Sequence, residues 1–461
     1  MSKVRIWKWI GFLSLLYVAY FAACGIIPPF FHKEADMEKI FCGRDVQEAQ
    51  ERVLCIDDNQ AALIWRLRVI EGAQEELVLS TYDFRADNSG MDIMSALHHA
   101  AERGIDVKII VDGIPGTFCL CGNRAFQALV SHPNVQVQFY NPIHFLLPYK
   151  MNYRMHDKYL IADDSVYILG GRNTNDLFLG SYSDKYNVDR DILVWSEAGG
   201  GSVTQLKEYF GEVWNQPCNK LLIYRDEKYE KELMELQEHH SDLEKVYPEA
   251  YRAFDWYEET LKVNSVLLLS NPTEPENKEP QVWEQLCHIM EQGEQIVIET
   301  PYVICNGGMY GELTELCGDG RQIQMIVNAP EGGANPFGCA DYMNEKENIL
   351  NTGSEIFELS NGRSLHTKTL LVDDHISIVG SYNLDIRSTY IDTELMLVID
   401  SPELNHMLRE NAALEMDMSR HVMPDGTQKY GADFQIVDIP FTRRISSGVL
   451  RIVLIPFRHL L

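Results

Sequence analysis

Two stretches of the chain repeat one pattern of polar side chains: HDKYLIADDSVYILGGRN at 156–173 and HTKTLLVDDHISIVGSYN at 366–383. In each stretch a lysine stands two positions after a histidine, an aspartate stands five positions after the lysine, and a glycine and an asparagine follow at matching positions. Recurrence of a motif this long predicts that the fold contains the same structural unit twice.

The repeat extends upstream of both motifs, which indicates a duplicated domain. EELVLSTYDF (75–84) matches EQIVIETPYV (294–303), and MDIMSALHHAAERGIDVKIIVDG (91–113) matches MYGELTELCGDGRQIQMIVNA (309–329). Helix-like and strand-like stretches alternate in both copies, and strands such as VKIIVD and IQMIVN have the continuous apolar character of buried strands. The chain is therefore predicted to be an α/β protein, with a mostly parallel or mixed sheet between helices in each of two homologous halves.

The repeat and the composition divide the chain into five segments. We predict an N-terminal signal-anchor or signal segment, a first half, an acidic helical connector, a second half and a basic apolar tail at residues 1–35, 36–224, 225–265, 266–435 and 436–461. The connector is rich in helix formers and in Glu-Lys pairs, which predicts a solvated helix. His239 and His240 lie in it beside glutamates, and we expect both to be solvated and without a chemical role.

The net charge limits the partners of the protein. With 68 acidic and 40 basic residues the formal charge is −28, so the average surface repels a phosphate backbone and no nucleic-acid partner is expected.

A hydrophobic content of 45% in 461 residues is sufficient for well-filled cores. The cysteines lack the paired short spacings of a zinc site, so we expect scattered thiols, with disulfides left open if the body lies outside the cytoplasm.

The N-terminal run from Trp9 to Phe31 is uncharged and long enough to cross a bilayer, for which about 20 apolar residues are needed. The basic residues before it are Lys3, Arg5 and Lys8. Positive charge on this side predicts a cytoplasmic N-terminus and places everything after Pro28 on the outer side of the membrane. The alternative is a cleaved signal peptide, since Phe-Ala-Ala-Cys at 21–24 loosely resembles a lipoprotein cleavage site.

The last residues, 441–461, reverse the charge of the chain. FTRRISSGVLRIVLIPFRHLL has no acidic residue and carries Arg443, Arg444, Arg451 and Arg458. Aliphatic groups interleaved with arginines suit the surface of an anionic bilayer, so we predict a membrane-surface tail. Pro456 argues against one continuous helix. A terminal segment docked on its own domain is the alternative.

Each motif is predicted to be a β-hairpin that turns at a pair of aspartates. Residues i and i+2 of a strand face the same way, so His156 and Lys158 share one face, as do His366 and Lys368. Pairing of the halves about a pseudo-twofold axis would bring both faces into one pocket. That pocket would hold two imidazoles and two ammonium groups.

These groups suit the transfer of a phosphodiester. A neutral imidazole can attack phosphorus to give a phosphohistidine, while a second, protonated imidazole gives its proton to the leaving alkoxide. The lysines stabilise charge on the phosphoryl oxygens, so we predict neither a metal nor a cofactor. One imidazole must be neutral and the other protonated, which predicts a bell-shaped pH dependence. Asp163 and Asp373, at the hairpin turns, are better placed to brace the turn than to touch substrate.

The two motifs resemble the signature of the phospholipase D superfamily: His-x-Lys, four residues, Asp, six residues, then Gly-Ser-x-Asn. The second copy satisfies every position, with His366, Lys368, Asp373, Gly380, Ser381 and Asn383. The first copy has His156, Lys158, Asp163, Gly170 and Asn173, with Gly171 in place of the serine. The resemblance covers roughly residues 40–435 and implies two phospholipase D-like α/β/α sandwich halves around one shared active site.

Within the superfamily, the flanking sequences look most like those of bacterial cardiolipin synthases. YNPIHFLLPYKMNYRMHDKYLIAD resembles their segment around the first motif, and GSYNLDIRSTYIDTEL resembles the segment of the second that ends in an acidic residue, here Glu394. This resemblance implies that a phosphatidyl group passes from a donor phospholipid, with phosphatidylglycerol expected, to an enzyme histidine and then to the alcohol of an acceptor lipid. It also implies a place in the bacterial cell membrane.

The resemblance further implies a role for each motif residue. His156 is the expected nucleophile, and His366 is the expected general acid and then general base. The expected catalytic set is His156, Lys158, Asp163, His366, Lys368 and Asp373. The expected supporting residues are Asn173, Ser381, Asn383 and Glu394.

Other members of the superfamily use the same pocket, which leaves alternatives open. These are a hydrolytic phospholipase D, another phosphatidyltransferase such as a phosphatidylserine synthase, and a phosphodiester nuclease. The charge of −28 and the apolar basic tail disfavour the nuclease. A non-catalytic lipid-binding protein is disfavoured because both copies retain histidine and lysine.

Overall fold

The computed structural model describes residues 3–27, 31, 33, 50–225, 228–436 and 441–461. Pro28 and the predicted boundary between the first two segments fall outside this part, as do the side chains of Lys3, Arg5 and Arg443. Within it the chain forms two nine-stranded mixed sheets, one for each predicted half, and a small two-stranded sheet between them.

The first sheet contains every strand of the first half except β7, together with one strand of the connector. In chain order, the first half and the connector contain β1 (Glu51–Ile56), β2 (Glu76–Thr81), β3 (Asp106–Asp112), β4 (Val135–Tyr140), β5 (Lys158–Ala162), β6 (Val166–Gly170), β7 (Asn187–Val188), β8 (Asp191–Ser196), β9 (Lys220–Leu221) and β10 (Leu261–Lys262). The order in the sheet is β10-β1-β8-β6-β5-β2-β3-β4-β9. Strands β2, β3 and β4 are parallel, and the other pairs are antiparallel.

The second sheet repeats this arrangement. Its half contains β11 (Ser265–Ser270), β12 (Gln295–Glu299), β13 (Gln322–Asn328), β14 (Glu355–Leu359), β15 (Ser364–Leu365), β16 (Thr369–Val372), β17 (Ile376–Gly380), β18 (Leu395–Asp400), β19 (Ser419–Val422) and β20 (Gln428–Tyr430). The order is β11-β18-β17-β16-β12-β13-β14-β19-β20, with β15 paired to β7 instead. The spatial order β1-β8-β6-β5-β2-β3-β4 in the first sheet matches the order β11-β18-β17-β16-β12-β13-β14 in the second. This match confirms the predicted duplicated α/β fold.

Helices connect the strands and flank the sheets. They are α1 (Lys3–Ile26), α2 (Asn59–Gly72), α3 (Asn88–Glu102), α4 (Gly113–Cys119), α5 (Arg124–Ser131), α6 (Ser202–Trp214), α7 (Glu230–Val246), α8 (Pro248–Tyr251), α9 (Trp256–Glu259), α10 (Gln281–Glu291), α11 (Gly307–Gly318), α12 (Pro336–Asn351), α13 (Ile386–Tyr390), α14 (Pro402–Asp417) and α15 (Phe441–Leu454). Two 3-10 helices, Pro148–Asn152 and Ile455–Leu460, complete the set in the described residues.

The two sheets face each other across a shared core. Successive side chains of a strand point to opposite faces, so Leu160 of β5 packs with the outer helices while Ile161 packs in a cluster that also contains Leu371 of β16. Leu206 of α6 and Leu408 of α14 belong to the same central cluster. The other helices lie outside, with α2, α3 and α7 on the first sheet and α10, α11 and α12 on the second. Both sheets are therefore buried on two faces, which explains their continuous apolar strands.

The predicted motif hairpins are present, as β5–β6 and β16–β17. Asp163 and Asp373 turn them with positive φ angles of 54° and 47°, a conformation that aspartate tolerates better than most residues. The Asp163 carboxylate accepts hydrogen bonds of 2.8–3.0 Å from three backbone N–H groups at the start of β2. Asp373 accepts two, of 2.8 and 2.9 Å, at the start of β12. Both aspartates thus tie the hairpin to the neighbouring strand.

The connector contains helices α7, α8 and α9, but one face of α7 is not solvated. Its residues Leu236, His240 and Leu243 are buried, and α7 packs against α3 and α5. The expectation that His240 is solvated is therefore wrong, because the connector supplies a missing outer face to the core of the first half.

The two terminal segments contact each other. The span Trp7–Ile26 is the one helix in the described residues long and apolar enough to cross a membrane, and none of it is buried. Its end contacts the tail through His459 Nε2, 2.7 Å from the Ile26 carbonyl oxygen. The tail forms α15 and then a 3-10 helix at Pro456, and it docks on the second half through Arg451 to Asn344 (2.9 Å) and Arg458 to Asp341 (3.0 Å).

Candidate active site

Two short pairings between the halves position the motif histidines. One is a parallel bridge between Met155 and Thr393, and the other is the parallel pair β7–β15, in which Val188 lies opposite Leu365. In each pairing the next residue on one strand is a motif histidine and the next residue on the other is an acid. Backbone pairing therefore brings each histidine to an acid from the opposite half.

The two histidines are held crosswise by these acids. His156 Nδ1 lies 2.8 Å from Oε1 of Glu394, and His366 Nδ1 lies 2.6 Å from Oδ2 of Asp189. Both carboxylates are fully buried, whereas the imidazole side chains keep 14% and 24% exposure. Each ring is held at Nδ1 by a carboxylate of the opposite half, so both imidazoles are positioned only when the two halves are assembled.

Further contacts fix the plane of each ring. The backbone N–H of His156 donates to Thr393 Oγ1 (3.1 Å), and that of His366 donates to the Val188 carbonyl oxygen (2.7 Å). Tyr82 lies edge-on to His156 with 5.3 Å between ring centroids, and Phe178 lies edge-on to His366 at 4.9 Å.

The two motif lysines are buried beside the histidines. Lys158 Nζ donates to the carbonyl oxygen of His156 at 2.5 Å. Lys368 Nζ lies 2.8 Å from Nδ1 of His366 and also donates to its carbonyl oxygen. Burial lowers the pKa of Lys158 to about 8 and that of Lys368 to about 7. Burial therefore disfavours the charged form of both lysines when no anion is bound, and a bound anion would stabilise it.

Burial and the lysine charges also act on the imidazoles. Burial, followed by Lys158, lowers the pKa of His156 well below its usual value. Burial and Lys368 lower the pKa of His366 to about 4. Lys368 acts on His156 and Lys158 acts on His366 as well, so the four groups share one electrostatic environment. A bound phosphodiester would oppose these shifts, because its negative charge favours protonated imidazole and ammonium.

The pKa values of the two carboxyl groups are shifted in opposite directions. Burial raises the pKa of Glu394 to about 8, against the opposing effects of Lys158 and two serine hydroxyls. Burial also raises that of Asp189, but Lys368 and His366 outweigh it, and the net pKa is lowered. Asp189 therefore stays ionised near neutral pH while Glu394 is close to its titration range.

The serine missing from the first motif has a structural explanation. Ser381 and Ser388 donate hydrogen bonds to the Glu394 carboxylate. A Cβ atom at Gly171, the position that matches Ser381, would lie 2.3 Å from Oδ1 of Asp189. The aspartate carboxylate thus occupies the space that the serine side chain fills in the other half.

The motif asparagines border the same site. Asn173 Oδ1 accepts a hydrogen bond of 3.3 Å from the backbone N–H of Asp83. Asn383 is 6% exposed, and its Oδ1 is buried without a hydrogen-bond partner. Buried amide oxygens normally have a partner, so this atom is suited to a donor on a bound substrate.

Two arginines, one buried and one partly buried, hold the segments that carry the site. Arg154 pairs with Asp112 (2.8 Å) and fixes the chain just before His156. Arg387 pairs with Asp392 (3.0 Å) and donates to the carbonyl oxygens of Asn152 (2.8 Å) and of the tail residue Leu460 (3.3 Å). The tail is therefore attached to the loop that presents Glu394.

Sequence reasoning identified Glu394 but missed its counterpart. Gly170 pairs with Asp191, and Gly380 pairs with Met396, so the residue two positions before each partner is Asp189 in one half and Glu394 in the other. Two acids, Asp189 and Asp191, stand near the start of β8. Aligning the apolar residues of β8 with those of β18 would match Asp191, and not Asp189, to Glu394. Asp191 instead pairs with Arg66 at 2.9 Å.

A cavity of about 200 Å³ adjoins His366. Its lining includes Tyr302, Asn328, Cys339 and Leu365. The cavity has polar and apolar lining residues beside the imidazole of His366, so it has room for part of a bound molecule next to this ring.

Comparison with known proteins agrees with this geometry. The sequence profile described as cardiolipin synthase, phospholipase D-like domain, matches residues 67–214 and 286–414. Cardiolipin synthase C of Escherichia coli is 26% identical over 397 residues, covering 77% of this chain and 82% of that protein. An uncharacterized protein of Helicobacter pylori is 24% identical over 413 residues, covering 80% of each chain.

Among solved structures, phosphatidylserine synthase of Haemophilus influenzae has the same fold. The TM-score is 0.61 at 14% sequence identity, with 91% of this chain and 98% of that chain covered. Together, the duplicated sheets, the paired His-x-Lys motifs and the profile match over both halves show that the chain belongs to the family of the cardiolipin synthase, phospholipase D-like domain, and is an enzyme of the phospholipase D superfamily.

Proposed function

We propose that this enzyme makes cardiolipin by moving a phosphatidyl group between two molecules of phosphatidylglycerol through a phosphohistidine. The observation that carries the proposal is the crosswise pairing of His156 with Glu394 and of His366 with Asp189, in a site that also holds two buried lysines. The similarity to proteins named cardiolipin synthase supports the choice of lipid.

In the first step His156 is the nucleophile. Its Nε2 attacks the phosphorus of the donor lipid, the bond from phosphorus to the glycerol headgroup oxygen breaks, and His366 gives its proton to that oxygen. Free glycerol leaves, and the phosphatidyl group stays on His156. Lys158 and Lys368 stabilise the negative charge on the phosphoryl oxygens in the transition state.

In the second step the acceptor lipid takes the place of glycerol. His366, now neutral, removes the proton from a hydroxyl of the second phosphatidylglycerol, whose oxygen attacks the phosphorus. The bond between phosphorus and His156 breaks, which releases cardiolipin and restores both imidazoles. The cavity beside His366 is the proposed place for this hydroxyl and its headgroup.

The difference between the two acids supports this division of roles. Asp189 is ionised, so it stabilises a proton on His366, which is what a general acid needs. Glu394 has a raised pKa and stabilises a protonated His156 less, which suits a neutral nucleophile. Because the pKa of His366 is about 4 in the free enzyme, we propose that it takes up its proton when the anionic lipid binds.

We also propose that the mouth of the site faces the membrane, with the N-terminus on the cytoplasmic side and the body on the outer face. Helix α1 is tied to the loop before the first motif, since Tyr17 donates to the carbonyl oxygen of Phe145 (2.7 Å) and Tyr20 to that of Leu146 (2.9 Å). Phe145 and Leu146 are 67% and 85% exposed. On the tail, Ile452 and Ile455 are similarly exposed.

This arrangement changes the expected role of the tail. Arg451 and Arg458 bind the second half, so they hold the tail in place and are not free to face lipid. Membrane contact would rest mainly on the exposed aliphatic side chains, with Arg444 as a basic residue whose side chain is exposed.

The activity is tested with the purified full chain in vesicles of phosphatidylglycerol. We expect cardiolipin and free glycerol in equal amounts by mass analysis, no requirement for added metal, and no product with His156→Ala. Phosphatidic acid without cardiolipin would identify a hydrolytic phospholipase D. Rapid DNA cleavage without a new lipid would favour the nuclease.

Membrane contact is tested separately with Leu146→Asp. We expect slower turnover on phosphatidylglycerol vesicles and unchanged turnover on short-chain, monomeric phosphatidylglycerol. Leu414→Asp is the matched control, because Leu414 is also an exposed leucine (61%) but lies on α14. Equal effects of the two variants would contradict the proposed orientation.

A further inference from the structure

A second cluster of ionisable side chains lies on the outer helices of the first half. It consists of Glu71 on α2, His99 on α3 and His240 on the connector helix α7. One ligand atom from each of the three lies within 4.8 Å of the others. The three helices cover the face of the first sheet that points away from the second half, so the cluster is not part of the active site.

Two buried polar atoms in this cluster have no partner. His240 is 4% exposed, and its Nε2 makes no hydrogen bond, although it lies 3.9 Å from Oε2 of Glu71. The hydroxyl of Tyr251, whose ring stands edge-on to His240 at 5.5 Å between centroids, is also buried without a partner. Buried polar groups are nearly always satisfied, so two such atoms around one carboxylate indicate a missing ligand.

One carboxylate oxygen of Glu71 faces a neighbouring arginine, and the other faces His240. Arg103 lies 3.7 Å from Oε1 of Glu71, which leaves Oε2 directed towards His240. Nε2 of His240 and Oε2 of Glu71 therefore face each other at 3.9 Å without a hydrogen bond between them.

We propose that Glu71, His99 and His240 bind one divalent transition-metal ion of the zinc class. Two imidazole nitrogens and one carboxylate oxygen are ligands that Zn²⁺ accepts at about 2.0–2.2 Å, with a water in the fourth position of a tetrahedral site. The unpartnered Tyr251 hydroxyl is suited to hydrogen-bond such a water.

Binding requires a small movement of the rings. His99 and His240 are stacked nearly parallel, with 3.9 Å between centroids and 13° between planes. The ligand lone pairs lie in the ring planes, so the stack must open for both nitrogens to reach one ion. The metal would then join the connector to α2 and α3, and its role is structural.

The test is a titration of the full chain with Zn²⁺ after removal of bound metal by a chelator. We expect one Zn²⁺ per chain and a rise in the midpoint of thermal unfolding. With Co²⁺ as the probe we expect the visible absorption of a tetrahedral site, and with Mg²⁺ we expect no binding, because Mg²⁺ prefers oxygen ligands.

The variants His240→Gln, His99→Gln and Glu71→Gln each remove one ligand. Loss of an outer-shell partner alone costs roughly 10- to 100-fold in metal affinity, so each variant should lose at least that much and lose the Co²⁺ spectrum. His406→Gln is the control, because His406 lies on the surface of α14 next to Glu410 (3.4 Å) and should leave binding unchanged.

The outcomes separate the site from accidental binding. If the wild-type chain takes up no Zn²⁺, or if all four variants bind it as well as the wild type, the proposal is wrong and any bound metal is an adventitious ion only. Glu71 and His99 are only half-buried, so their variants keep the test valid if His240→Gln does not fold.

Discussion

The two halves of this enzyme share one topology and one motif, but they hold the partner's histidine in different ways. The second half supplies Glu394, whose carboxylate accepts from Ser381 and Ser388. The first half supplies Asp189, which lies against Gly171 without a serine hydroxyl. Aspartate is one methylene shorter than glutamate, so its carboxylate lies closer to the strand end and excludes a side chain there.

The difference shows that the absence of a serine at position 171 and the presence of aspartate at position 189 depend on each other, because the Asp189 carboxylate occupies the space of a side chain at position 171. In the proposed mechanism the two imidazoles have opposite tasks, and an exact copy of one half would give them equal proton affinities. The net pKa of Asp189 is lowered and that of Glu394 is raised to about 8, so the two imidazoles face different charges. Five predictions test this comparison.

The largest effects are expected from the histidines. His156→Ala should abolish turnover and the trapping of a labelled phosphatidyl group, because no nucleophile remains. His366→Ala should lose about 100- to 10,000-fold, the usual contribution of a general acid and base, while slow labelling of His156 persists. Acid-quenched single-turnover labelling measures both. A label on His366 would reverse the roles.

The acids come next. Asp189→Asn should approach the roughly 10,000-fold loss that the same change causes behind the catalytic histidine of serine proteases, because an amide can fix the wrong tautomer. Glu394→Gln should cost less, since the pKa of Glu394 is already near 8. Values of kcat at several pH values check this. A greater loss for Glu394→Gln would contradict the proposed asymmetry.

The lysines are expected to matter in both halves. Lys158→Met and Lys368→Met keep most of the stem and remove the ammonium, which should cost about 100- to 1000-fold in kcat. Lys207→Met is the control, because Lys207 is a partly exposed lysine that pairs with Glu76 (2.9 Å) at the surface. Losses within a few-fold for both motif lysines would place them outside the transition state.

A swap of side chains tests the linked change directly. Gly171→Ser should displace Asp189 and lower activity about tenfold or more, the scale of one lost hydrogen bond to a charged group. The double variant Gly171→Ser with Asp189→Glu rebuilds the arrangement of the second half and should recover part of the loss. If the double variant is no better than the single one, the two positions are independent.

The smallest effect is a difference between two pH profiles. In the proposed mechanism the lysines act as cations and His366 as a protonated acid, so activity should fall as the pH rises above the pKa of His366, about 4 in the free enzyme, and more steeply through the lysine pKa values of about 7 and 8. The profile of kcat/KM should show this fall. In the enzyme–lipid complex the phosphate anion raises both pKa values, so the fall in kcat should lie at higher pH. Coincident profiles would mean that the lysines do not contact the phosphate.

Much of the fold could be read from the residues themselves. Apolar runs such as VKIIVD and the repeated motifs predict buried strands, hairpins and duplication, because these depend on local periodicity and on turns at Asp163 and Asp373. The histidines and lysines could be identified for the same reason, since their spacing lies within one strand. Glu394 could be identified from the sequence that precedes it, although no local feature of the sequence pairs it with His156.

What the sequence by itself determined is the set of groups and the duplication that pairs them. Only the tertiary structure decided which acid meets which histidine, because those contacts cross between halves through the bridge of Met155 with Thr393 and the pair β7–β15. It also decided that His240 is buried and that Arg451 and Arg458 hold the tail. These are contacts between segments far apart in the chain, and local periodicity carries no information about them.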